Sequence, residues 1–320
     1  LARYLCRLFD GKAGAAEAEW TRAVLHEFDF SVVGNHCHLV CSAPGIHWSQ
    51  ALRADTVAAT GVAGESSHGD PEMYGLRRLH YLLRTKMRPG FFTATPRATM
   101  KNTGGGSRAA GTAVTGDAVE AACSSVSNYT YGLHPNVMQA CQGYDELDWS
   151  RLRLFYPSTR RACQLTRTDP LGCDQASFAA KSPLRGCEPG CTRQHRCRPC
   201  LLHELTACPA QHPARSRVVQ HTKMLLREST KEGATKGRGW IYAGSHNLST
   251  SAWGSANLTK DTKAEQASGQ KRNRVNHYEL GVLLTDVRIS DYARVVPWNR
   301  SGDVERWRYR LGRGDVPFPH

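Results

Sequence analysis

Acidic residues are scarce in this sequence, and long apolar runs are missing. Its 320 residues carry 28 Asp and Glu against 42 Lys and Arg, a formal charge of +14 with histidine neutral. A surplus of that size attracts polyanions such as nucleic acid or anionic membrane, although a soluble surface with extra arginine has the same arithmetic. No stretch approaches the ~18 consecutive apolar residues of a membrane-spanning helix, and no charged-then-apolar leader opens the chain, which argues against membrane and secreted classes. Charged residues make up only 22% and apolar ones 40%, which argues against wholesale disorder and lets a sizeable core form. The 12 Cys are too sparse over this length for a small disulfide scaffold. Sequons at Asn128, Asn247, Asn257 and Asn299 are expected to stay unglycosylated in the reducing, intracellular compartment this implies. Leu1 already falls inside a helical pattern, so the chain reads as cut from something longer.

Apolar spacing predicts helix over residues 1–28, broken near Gly11 and Gly14, then a short strand at His38–Cys41 closed by Pro44-Gly45. Residues 46–71 read as a connection. A second helix runs through Tyr74, Leu76, Leu79, Leu82 and Leu83 to about Pro89-Gly90, and residues 95–118 form a Gly/Ala/Thr/Ser-rich loop. Strands are expected at Leu152–Tyr156, at Gly239–Ala243 and at Tyr278–Leu284, with a polar, basic segment ending in Lys271-Arg272-Asn273-Arg274 between the last two. Helices interleaved with strands point to an α/β fold, a mixed sheet flanked by helices.

The sharpest local feature is His221-Thr222-Lys223. Positions two apart in extended chain share a face, so an imidazole and an ammonium point into one pocket. Lysine supplies fixed positive charge for phosphate oxygens, and histidine exchanges protons near neutral pH. Alone the triplet is weak, since surface placement by chance is common in a basic chain. Downstream, the apolar stretch Met224-Leu225-Leu226 and the strand through Ala243 lead into Gly244-Ser245-His246-Asn247-Leu248-Ser249, then Ala252-Trp253-Gly254. Such a turn offers amides, hydroxyls and a carboxamide to a phosphate; it reads equally as a Ser/Asn cap of a following helix.

The order His-x-Lys, apolar strand, Gly-Ser-x-Asn-Leu-Ser, Ala-Trp-Gly, then Tyr278-Glu279-Leu280-Gly281-Val282-Leu283 resembles the C-terminal half of tyrosyl-DNA phosphodiesterases, of the phospholipase D superfamily. Looser patches continue it: Phe28-Asp29-Phe30-Ser31 with Ala43-Pro44-Gly45, Tyr74–Leu79, Cys123–Val126 and Phe155–Ser158. The resemblance implies a phospholipase D-like second catalytic domain at 51–320, with insertions near 95–118, 180–212 and 255–276, and a remnant of the first domain at 1–50. It implies hydrolysis of a 3′-phosphotyrosyl or other 3′-blocking bond on DNA, through a phosphohistidine and without a cofactor, in nuclear DNA repair. His221 would protonate the leaving tyrosine and then activate water. Lys223 and Asn247 would hold phosphoryl oxygens, and Glu279 would orient a catalytic imidazole. Ser125, Ser177, Ser245 and Ser249 would contact substrate phosphates. The partner implied is DNA bearing a 3′-linked tyrosine or peptide, as left by a stalled topoisomerase; no membrane is implied.

Three features depart from that pattern. A second Gly-Ser-x-Asn, ending at Asn257, competes with the first, but only the copy at Asn247 follows an apolar strand. Asn128 stands where the family's serine turn has a second serine. His-x-Lys occurs only at His221, so the nucleophilic histidine is expected upstream of Leu1, in another half of the same protein. Cys187, Cys191, Cys197 and Cys200, with His195, His203 and Cys208 nearby, could wrap a zinc ion. Their spacings match no common finger, and free thiols in a solvated loop are the expectation, with no metal. The alternatives are a non-catalytic nucleic-acid-binding module built on that cluster, and a broader phospholipase D-type nuclease.

Overall fold

The computed structural model describes residues 19, 36–50, 73–88, 91, 118–123, 136–137, 140–141, 152–156, 202–204, 221–230, 233, 235–255, 263–298 and 300. Their strands are β1 (Cys37–Ser42), β2 (Gly45–Gln50), β3 (Val119–Ala122), β4 (Leu152–Tyr156), β5 (Leu202–Glu204), β6 (Lys223–Glu228), β7 (Arg238–Gly244), β8 (Gln270–Val275) and β9 (Glu279–Arg288). The helices are α1 (Gly75–Lys86), α2 (Thr250–Trp253) and α3 (Lys263–Ser268), with a 3₁₀ turn at Ile289–Tyr292. A seven-stranded sheet runs in the order β1-β9-β7-β6-β3-β4-β5, and β2 pairs with β8 as a separate ribbon. β3, β4 and β5 are mutually parallel, and the other pairings are antiparallel. The fold is mixed α/β. None of the described helices is long and apolar enough to cross a membrane.

Side chains alternating along the central strands feed two apolar layers. Leu225, Trp240, Tyr242 and Leu283 face α1, whereas Met224, Leu226 and Ile241 face the segment after β9. Burial on both faces is why β6 and β7 read as continuous apolar runs rather than as alternating ones. On α1, Leu76, Leu79, Leu82 and Leu83 recur at helical spacing and are fully buried, each contributing on the order of 1.5–3 kcal/mol. Arg84 and Lys86 sit in the last turn, where positive charge suits the helix dipole. On the other face Trp298 stacks on Phe155 at 5.0 Å, and its indole N–H donates to Glu120 Oε2 at 2.6 Å. Arg300 also binds Glu120, at 2.9 and 3.2 Å, so this buried carboxylate is paired.

The expected strand at 38–41, the second helix, and the strands at 152–156 and 239–243 are all present. β9 runs to Arg288, beyond the expected end at Leu284. Thr285-Asp286 looks like a strand terminus, but Asp286 occupies the left-handed region (φ 54°) beside a register shift and pairing with β7 resumes. Arg238 and Arg88 hold its carboxylate at 2.8 and 2.5 Å. Burial alone would raise that carboxyl's pKa; the hydrogen bonds and charges of the two arginines hold it below the ordinary value. The connection expected from residue 46 instead opens with β2, because Gly45–Gln50 finds its partner in Gln270–Val275. Part of the polar segment 255–276 is likewise ordered, as α3 and β8. β1, inside the segment expected to belong to a first domain, is hydrogen-bonded to β9 in the main sheet. The helix expected at 1–28 (apart from residue 19), the loop at 95–117 and the cysteine cluster lie outside the described residues, except for His203 within β5.

Register fixes where the candidate chemistry gathers. Lys223 opposes Gly244, Gly244 opposes Gly281, and Gly281 opposes Val40, while Glu279 opposes Ser42. At one end of the sheet, therefore, β6 and β9 begin while β1, β3 and β7 finish.

Candidate active site

His221 is exposed, immediately before β6, and Lys223 is the strand's buried first residue. The Lys223 ammonium donates to the His221 carbonyl oxygen at 2.9 Å and lies 2.9 Å from each imidazole nitrogen. The pair thus forms one cationic corner with an imidazole on its solvent side. Burial lowers the Lys223 pKa, and the Glu279 carboxylate chiefly opposes that shift. A cation set against the sheet end with little side-chain freedom is preorganised for a phosphoryl oxygen.

The turn after β7 is clipped to β9. Ser245 N–H donates to the Leu280 carbonyl at 2.9 Å, and Ser245 Oγ accepts the Leu280 N–H at 3.0 Å. Its hydroxyl proton is left to donate elsewhere. Asn247 is half-buried, and its carbonyl accepts the Ser249 N–H at 2.8 Å. Ser249 Oγ accepts the Ala252 N–H at 3.2 Å, which makes it the N-cap of α2. The capping reading of this motif therefore holds for Ser249. Glu279, half-buried, opens β9, and its Oε1 lies 3.8 Å from Nδ1 of the exposed His277.

The structure thus brings His221, Lys223, Ser245, Asn247 and Glu279 to one end of one sheet, with Ser249 at the N-cap of the helix that follows. Ser125, Ser177, Asn128 and Asn257 lie outside the described residues. Among the described residues, no three His, Cys, Asp or Glu side chains converge as metal ligands would.

A second polar group escaped the sequence reading. His246, the variable residue of the Gly-Ser-x-Asn turn, is 2% exposed. Its Nε2 lies 2.8 Å from Ser42 Oγ, its Nδ1 meets the Tyr242 hydroxyl, and its ring packs on Trp253 with centroids 4.3 Å apart. Desolvation drives its pKa down to about 3. The signal available was Tyr242, four residues before a histidine at the end of an apolar strand; His277, missed as well, precedes Glu279 at the spacing of strand neighbours. The glycines explain how Tyr242 reaches His246. A Cβ on Gly244 would lie 2.3 Å from the Tyr242 hydroxyl, and one on Gly281 would lie 2.3 Å from the same ring.

A family model described as tyrosyl-DNA phosphodiesterase matches residues 1–297. Comparison with curated protein sequences returns no match. A crystal structure of the yeast tyrosyl-DNA phosphodiesterase is 11% identical, with 88% of this chain and 54% of that one covered and a TM-score of 0.44. A histidine-to-alanine variant of the yeast enzyme is 13% identical, with 88% and 53% covered and a TM-score of 0.42. The chain spans about half the length of these solved structures.

Proposed function

The chain belongs to the tyrosyl-DNA phosphodiesterase family, and from that premise we propose that it carries the acid/base half of a two-histidine phosphodiesterase site. The substrate is the phosphodiester joining a tyrosine, or another blocking group, to a DNA 3′ end, as a stalled topoisomerase leaves it, and the setting is DNA repair in the nucleus. In the first step a histidine nitrogen attacks phosphorus, the P–O bond to the tyrosyl oxygen breaks, and the His221 imidazolium gives that oxygen its proton. In the second, neutral His221 takes a proton from water, the resulting hydroxide attacks phosphorus, the P–N bond breaks and a DNA 3′-phosphate leaves. Lys223 and Asn247 bind the non-bridging oxygens in both steps, and Glu279 supports the positive charge of the corner. The attacking histidine lies outside these 320 residues, because His-x-Lys occurs in them once.

The observation that carries the reading is the gathering of His221, Lys223, Asn247 and Glu279 at one sheet end. Fixed cation, carboxamide and proton-exchanging imidazole are the parts that phosphoryl transfer requires. The test is turnover of a 3′-phosphotyrosyl oligonucleotide. The 320-residue chain is expected to act barely above background. Joined to an upstream segment bearing a second His-x-Lys, it is expected to release tyrosine. Full activity of the chain alone would place the chemistry on other residues.

A further inference from the structure

We propose that His246 is a positioning residue, locked as the neutral Nε2–H tautomer, that holds the turn carrying Asn247 in register with Lys223. Proton counting fixes the tautomer. The Ala252 carbonyl oxygen lies 2.7 Å from Ser42 Oγ and can only accept, so the single hydroxyl proton of Ser42 is committed to it. Ser42 Oγ also lies 2.8 Å from His246 Nε2, and with its own proton spent it must accept there. Nε2 therefore carries hydrogen. With the ring neutral in its buried site, Nδ1 is an acceptor, and the Tyr242 hydroxyl is the donor that faces it. The chain of donation runs from Tyr242 to His246 to Ser42 to Ala252.

These bonds tie three elements to one ring. Ser42 ends β1, Tyr242 belongs to β7, and Ala252 and Trp253 belong to α2. His246 sits between Ser245, clipped to β9, and Asn247. With both its nitrogens engaged and its ring shut from solvent, His246 cannot shuttle a proton for substrate. Its contribution is to fix the peptide from which the Asn247 carboxamide projects. Gly244 and Gly281, opposed across β7 and β9, leave the space in which the tyrosine approaches it.

The inference rests on the phosphodiesterase reading for its consequence in turnover, but not for the network itself, so the test has two arms. In the first, the 320-residue chain labelled with ¹⁵N at histidine and asparagine is followed between pH 5 and 8 in the absence of substrate. One imidazole, identified by its loss in His246→Gln, is expected to keep an Nε2–H pattern that does not move, and Tyr242→Phe is expected to displace the Asn247 side-chain amide signals. Titration of His246 within that window, an Nδ1–H pattern, or unmoved Asn247 signals in Tyr242→Phe would overturn the proposal. In the second arm, the protein joined to its nucleophile-bearing segment is assayed. Tyr242→Phe, which keeps the packing and removes one donor, is expected to lower kcat about 10-fold to 100-fold, the order that misplacement of a catalytic group costs, with KM and pH profile unchanged. His246→Gln, which retains an N–H donor, is expected to keep more activity than His246→Leu. Equal losses in those two variants would contradict the positioning role. An inactive wild type would instead defeat the functional reading, and the first arm would still decide the network.

Discussion

At the scale of single residues, the buried histidine makes the molecule acid-sensitive in a specific window. The His246 pKa falls from an ordinary value near 6.5 to about 3. Above the unfolded value the ring is neutral in both states, and its fit is fully available. Below it only the unfolded chain takes up the proton, so stability is lost as pH falls toward the folded value, by up to about 1.4 kcal/mol per pH unit. His80, lowered to about 4 by burial and then by Arg84 and Arg77, adds a second proton of the same sign. Denaturant titrations at pH 7 and pH 5 are expected to show this loss, and His246→Gln should remove one proton's share of the slope while lowering stability at both pH values. A pH-independent difference between wild type and variant would contradict the assignment. The sequence displayed His221, Asn247 and Glu279, because phosphoryl chemistry has recognisable residue types. It did not display His246 as a framework residue, because a histidine's role follows from whether its neighbours come from distant segments. Ser42 lies 204 positions away from it.

Among elements, β7 and β9 approach closely at Gly244 and Gly281, beside the candidate site. A methyl on Gly244 would lie 2.5 Å from Gly281 Cα and 2.7 Å from the Leu280 carbonyl oxygen. Backbone cannot yield there as a side chain could, so Gly244→Ala is expected to destabilise by about 1–3 kcal/mol, the range of overpacking in a filled core. Ala243→Ser, at an exposed position of the same strand, should stay within about 0.5 kcal/mol of wild type. Chemical denaturation of both variants measures the difference, and an unaffected Gly244→Ala would show that the two strands are less closely packed. Elements with their own apolar period, α1 and the central strands, were readable in sequence. β2, β3, β5 and β8 were not. β2 and β8 exist through pairing with each other across more than two hundred residues, and the four-residue β3 carries Glu120, which is tolerated inside because Trp298, Arg300 and Arg153 surround it.

For the whole molecule, the charge of +14 suits the polyanionic substrate proposed above. Arg272 and Arg274 are exposed on one face of the β2–β8 ribbon, and neither strand contains an acidic residue. Affinity for a single-stranded oligonucleotide is expected to fall steeply between about 50 and 200 mM salt, and neutralising both arginines should flatten the logarithmic slope by about 0.7 for each phosphate deprived of its cation. Fluorescence anisotropy across a salt series reads this, and a salt-independent affinity would contradict it. The measurement that bears most directly on the central claim follows both steps of the reaction with a labelled 3′-phosphotyrosyl oligonucleotide and His221→Ala, in the chain joined to its nucleophile-bearing segment. If His221 is the general acid and then the base, overall turnover should drop at least about 10²–10⁴-fold. The covalent phosphohistidine should accumulate, because attack survives while hydrolysis lacks its base. Turnover equal to wild type, or a loss of activity with no accumulated intermediate, would contradict the assignment of His221 to that role.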